Sequence, residues 1–107
     1  MHHDRLESLY SKQTNLWREK EKIEIRLIKI RRLREDIEME KSIIESDLIQ
    51  EVGFTKKEFD TRHAVLFVKE SNLNDEEHNL GYKLYQMENT LSEIFLTLSQ
   101  ELSLKVA

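Results

Sequence analysis

The chain has 107 residues, 36% of them charged and 38% apolar, with a net charge of −4, no cysteine, no proline and two glycines. That length supports one small domain, and the lack of cysteine excludes disulfides, thiol nucleophiles and thiolate metal sites. A chain so poor in turn residues cannot build a strand-rich or loop-rich fold, its acidic balance speaks against general polyanion binding, and it has no apolar run near the ~18 residues a membrane span needs.

Aliphatic residues recur in sevens from the N-terminus: Leu9, Leu16, Ile23, Ile30, Ile37 and Ile44. These are d positions of a heptad. The matching a positions are more mixed, with Leu6, Leu27 and Leu48 interrupted by Gln13, Lys20, Arg34 and Lys41. A sustained 3.5-residue period predicts a coiled-coil helix, here over about 3–51. Tyr10 and Trp17 share one position flanking this stripe. The opening MHHDRLESLY lacks the apolar stretch of a cleaved signal, which leads to the expectation of a cytoplasmic protein, or of one exported without a cleaved signal.

Within this helix, RLIKIRRLR (26–34) carries five basic residues and no acid. Placed on a helix, the five charges fall all round the shaft. A membrane-lying helix would segregate them from the apolar residues, and a DNA-reading helix would gather them toward one groove. Six acids follow within 34–47, spaced for i,i+4 pairs such as Arg31 with Glu35 and Arg34 with Glu38. The run therefore reads as a solvated, ion-paired shaft, with an acidic protein partner as the rival and nucleic acid least favoured.

The segment EVGFTKKEF (51–59) breaks the pattern. Gly53 suits a helix C′ position. Thr55 with Glu58 matches a capping box, and Phe54 with Phe59 a hydrophobic staple. A turn over 52–55 and a second helix over about 56–104 follow. Phe59, Leu66, Leu73, Leu80, Met87 and Ile94 take its d positions; His63, Glu70, Glu77, Leu84, Leu91 and Leu98 take its a positions. HAVLFV (63–68) reads as a broad buried face. The stretch ESNLNDEEHNLG (70–81) is poor in helix formers, and Asn74 could cap a fresh start with Glu77 at N3. Either one helix runs through it, or a kink or break falls near 71–75, giving 3–51, 56–71 and 75–105.

Together these elements predict an all-α fold: an antiparallel two-helix coiled-coil hairpin of a single domain. In an antiparallel pair each a faces a d of the other helix. The only register centred on the Gly53–Phe54 turn sets Lys41 level with Leu66, Ile37 with Glu70, Arg34 with Leu73 and Ile30 with Glu77. Lys41, Glu70, Arg34 and Glu77 thus form a ladder of alternating sign, which pairs diagonally or reaches to water, and which fixes register at some cost in stability. Toward the termini the seam is more apolar. There Tyr10, Trp17, Phe95 and Leu102 add apolar surface that a lone hairpin cannot cover. They are the expected interface, either for a second copy that completes a bundle or for a different protein.

Catalytic groups are not apparent. No Ser or Thr has a His and an acid at triad spacing, no glycine-rich phosphate loop exists, and a two-helix hairpin has little room for a deep pocket. His63 occupies an a position and reads as a core histidine. His78, beside Asp75, Glu76 and Glu77, lacks matching ligands on helix 1 for a di-metal bundle; His2 and His3 sit at the start of the chain. No cofactor, no metal and no enzyme activity are expected.

The two-helix plan, opening on DRLESLYSKQ (4–13) and running into a charge-rich helix, resembles the small stalk proteins of flagellar and type III export ATPases (the FliJ and YscO type). Helical type III secretion chaperones look similar. The resemblance implies a cytoplasmic subunit that docks an export ATPase ring or escorts a secreted protein, and it assigns no individual residue a role. From the residues themselves the expectation is a non-enzymatic coiled-coil adaptor.

Overall fold

A computed structural model describes residues 2–49 and 55–106, with side chains over 4–47 and 55–103. Two long helices, α1 (His2–Ile49) and α2 (Lys56–Val106), pack antiparallel in an all-α hairpin. The proposed Gly53 stop and the Phe54 half of the staple lie outside the described residues. Thr55 lies inside them, as the N-cap of α2: its hydroxyl accepts the Glu58 backbone N–H at 3.2 Å, and its carbonyl accepts that of Phe59 at 3.0 Å. One of the orphan donors of the helix start is thereby satisfied.

The heptad pattern sorts burial along both helices. Every described a and d residue is buried or half-buried, charged ones included. Few other residues are covered, and most of them fall at g: Arg26, Leu33 and Asp47 on α1, Glu76, Thr90 and Thr97 on α2. Helical threonines such as Thr90 and Thr97 donate their hydroxyls to the carbonyl four residues back, so a polar side chain can sit beside the seam without an orphaned group.

The chain divides into two compact units, and both helices contribute to each. The first comprises Met1–Ile25 and Leu80–Ala107. Its core joins Leu6, Ile94 and Leu98, with Leu9 and Leu16 packed against them. The second is Arg26–Asn79. There Ile37, Ile44 and Leu66 form the core, flanked by Phe59 and Leu73, and Ile30 is wholly buried.

The second unit settles the question posed by 70–81. No break occurs at 71–75: α2 is one helix through the whole stretch. Asn74 caps nothing; its Oδ1 accepts from Arg34 Nη2 at 2.8 Å. Leu73 packs on the core, while Glu70, Glu76 and Glu77 each meet a cation of α1. These tertiary contacts override a weak local propensity of a few tenths of a kcal/mol per residue.

HAVLFV is a second correction. Leu66 is buried and His63 half-buried, its ring 5.5 Å from that of Phe59. Val65, Phe67 and Val68 are 50–64% exposed. Two helices offer one seam, and a residue run of this length necessarily turns most of its side chains away from it.

Candidate protein-docking surface

The charged seam positions meet in the second unit. Lys41 Nζ lies 2.7 Å from Glu70 Oε2 and 3.4 Å from Glu38 Oε1. Arg34 Nη2 lies 3.1 Å from Glu77 Oε2. Each cation therefore reaches one turn beyond its level partner, Leu66 or Leu73, which is the diagonal pairing open to such a ladder. The hydrogen bond from Lys41 holds the Glu70 carboxyl below the usual carboxylate range, and the same bond, returned, holds the Lys41 ammonium above the usual lysine range. Arg34 is less well served. Its Nε is buried with no hydrogen-bond partner among the described residues.

Several ion pairs between the helices escaped the sequence reading, among them Arg5 with Glu101, Lys20 with Glu88 and Arg26 with Glu76. Arg26 Nε donates to both carboxylate oxygens of Glu76 at 3.0 Å, and Nη2 donates to Oε2 at 2.7 Å. This fork-to-carboxylate pairing combines charge with directional hydrogen bonds. Both residues stand at g, and in an antiparallel pair the g positions of the two helices flank the same side of the seam. That shared letter was the available signal.

In the first unit the heptad e flank carries four uncovered apolar residues, Tyr10, Trp17, Phe95 and Leu102, alongside Glu24 and Glu88. Trp17 is 55% exposed and Phe95 63%. They line one open groove of about 530 Å³ whose floor includes Leu91 and whose edge includes Leu96. Lys20 closes one end, 3.6 Å from Glu88 and 3.8 Å from Glu24. Tyr10 and Leu102 share the e flank and are about half exposed, but they do not line this groove. The four residues expected as an interface are thus all exposed, and two of them are brought together.

Among the described residues no three His, Asp or Glu side chains cluster as a metal site, and no helix is long and apolar enough to cross a membrane. The groove is lined half by apolar residues, Trp17, Leu91, Phe95 and Leu96, and half by polar ones, Gln13, Lys20, Glu88 and Ser92, the mix of apolar centre and polar rim found at protein interfaces. The chain matches no protein-family model, no curated protein and no solved structure.

Proposed function

We propose that the protein is a non-enzymatic helical adaptor that binds another protein chain through the e flank of its first unit. The observation that carries this reading is the placement of Trp17 and Phe95, two large aromatics, in the walls of one uncovered groove. Each aromatic buries roughly 150–250 Å² when covered, and at about 25 cal/mol per Å² two of them supply several kcal/mol. Interfaces concentrate their energy in such anchors. The Lys20–Glu88 pair at the groove's end supplies a polar rim that excludes water without desolvating a lone charge.

The reading is tested by affinity capture with quantitative mass spectrometry, using Trp17→Ala and Phe95→Ala as paired controls of checked helicity. A partner that uses the groove is lost from both variants, by about 30-fold or more in affinity for an anchor worth ~2 kcal/mol. An unchanged set of partners overturns the assignment of the groove.

A narrower reading, stalk or chaperone of an export apparatus, is supported by the two-helix plan alone. Purified export ATPase or a secreted substrate, titrated against the chain, tests it directly. The nucleic-acid reading loses ground from the basic run itself, where Arg26 and Arg34 are committed to Glu76 and Glu77. Binding to DNA that weakens steeply with salt would restore it.

A further inference from the structure

The second unit carries its own uncovered surface, and its charges name an occupant. On α1, Asp36, Met39, Glu40 and Ile43 recur at helical spacing on one face, with Met39 65% and Ile43 58% exposed. On α2, Lys57, Thr61, Ala64 and Val68 do the same, with Val65 and Lys69 beside them. The two faces adjoin. Ile43 and Val65 line one groove together with Glu40 and Lys69. Thr61, Val65 and Lys69 also line the neighbouring groove that holds Lys57, Ala64 and Val68. Glu40 and Lys69 recur again beside Asp36 and Asn72. The result is one continuous patch of interleaved apolar and charged residues, in which Asp36 and Glu40 lie on the α1 side and lysines predominate on the α2 side, with Asp60 as an acid among them.

We propose that this patch is a self-association surface, on which α1 of one copy covers α2 of a second copy. A patch split lengthwise by sign can meet its own copy in two symmetric ways. A twofold axis across the helices sets α1 on α1, acid against acid and lysine against lysine. A twofold axis along the helices sets the acidic face of each copy on the basic face of the other. In that arrangement Ile43 and Met39 of one copy lie over Ala64, Val65 and Val68 of the second, while Glu40 and Asp36 approach Lys69. The contact is isologous, as twofold pairs require. Every neighbouring helix pair is then antiparallel, the arrangement of an up-down four-helix bundle. The sign inverts together at the far edge of the patch, where Arg32 follows the acids on α1 and Asp75 follows the lysines on α2, so the charge match extends beyond these grooves.

Solution mass by sedimentation velocity, over a concentration series, tests the proposal with exchanged charges. Wild type sediments at twice the chain mass of 12.9 kDa. Asp36→Lys with Glu40→Lys, and separately Lys57→Glu with Lys69→Glu, each sediment at the single-chain mass while keeping wild-type helicity. An equimolar mixture of the two variants returns to the two-chain mass, because each then offers the other opposite sign on both helices. Val68→Asp, at an exposed position off the seam, dissociates the pair without relying on the lysines. Trp17→Ala stays at the two-chain mass, which separates this surface from the groove of the first unit. A wild type of single-chain mass throughout overturns the proposal. So does a two-chain mass in Val68→Asp, and so does a variant mixture that stays dissociated.

Discussion

Lys41 and Glu70 face each other across the seam of the second unit at 2.7 Å, with side chains only 18% and 25% exposed. The pair stands where an all-aliphatic coiled coil would place two apolar residues. Its hydrogen bond displaces both titrations outward, Glu70 downward and Lys41 upward. For Glu70 the folded state holds the charged form more tightly than the unfolded chain does. Its contribution is therefore present above the usual carboxylate range and lost as pH falls through the depressed value. For Lys41 the contribution is present below the usual lysine range and lost as pH rises through the elevated value. Urea denaturation across a pH series is expected to show an acid-side fall in stability that Glu70→Gln flattens. An identical acid limb in the variant would remove the pair from the account.

Arg34 is the weaker rung. It satisfies Glu77 and Asn74 through one nitrogen and leaves Nε orphaned. Replacing such a group by an apolar side chain of similar length relieves desolvation and loses little attraction, since a third of the side chain is open to water. Because Glu77 would otherwise lose its cation, that outcome is expected of the paired change: Arg34→Met with Glu77→Leu is neutral or stabilises by up to about 1 kcal/mol in chemical denaturation. Arg34→Glu, which sets like charges together, destabilises, and the double reversal with Glu77→Arg recovers part of the loss. A double variant no better than the worse single one shows that the two side chains do not interact.

Gly81 sits inside α2, exposed, and a methyl group there meets nothing within 4 Å. Glycine in a helix interior costs roughly 0.5–1 kcal/mol relative to alanine. Gly81→Ala is therefore expected to stabilise by about that amount, read from the urea midpoint at constant slope. A loss of stability would mean that α2 is not regular helix at this point.

Thr55 is the hydroxyl that starts α2. Thr55→Ala is expected to cost about 1 kcal/mol, with Thr55→Ser and Thr55→Asp near wild type. Equal stability of the alanine and serine variants would remove Thr55 from the cap.

These residues also mark how far the sequence could be read. The antiparallel heptad seam was legible because a period of seven, two sets of apolar d residues and a Thr55 cap all agree. The charged ladder followed from the same register, which left open whether its members pair diagonally or reach to water. The continuity of α2 did not, because Asn74 and Gly81 are weak helix residues locally and the contacts that carry the helix past them come from α1. Arg34 looked ready to pair with Glu38 along its own helix. It turns across to Glu77 instead, and the Glu38 carboxylate meets Lys41. Nothing in a one-dimensional pattern ranks a neighbour one turn away above a neighbour on another helix. For the docking surface, the exposure of Tyr10, Trp17, Phe95 and Leu102 could be expected from their place off the seam. That Trp17 and Phe95 alone share a groove depends on side-chain directions that periodicity does not fix.

The proposed adaptor role requires that the e flank around Trp17 touch another protein chain. Photo-crosslinking from that position tests it most directly. A benzophenone amino acid replacing Trp17, with a second preparation carrying it at the exposed Asn15 on a different face, is irradiated in the cell that makes the protein and resolved by mass spectrometry. The account predicts a discrete protein adduct from position 17 and none from position 15. No adduct from position 17, or the same adducts from both positions, would contradict it.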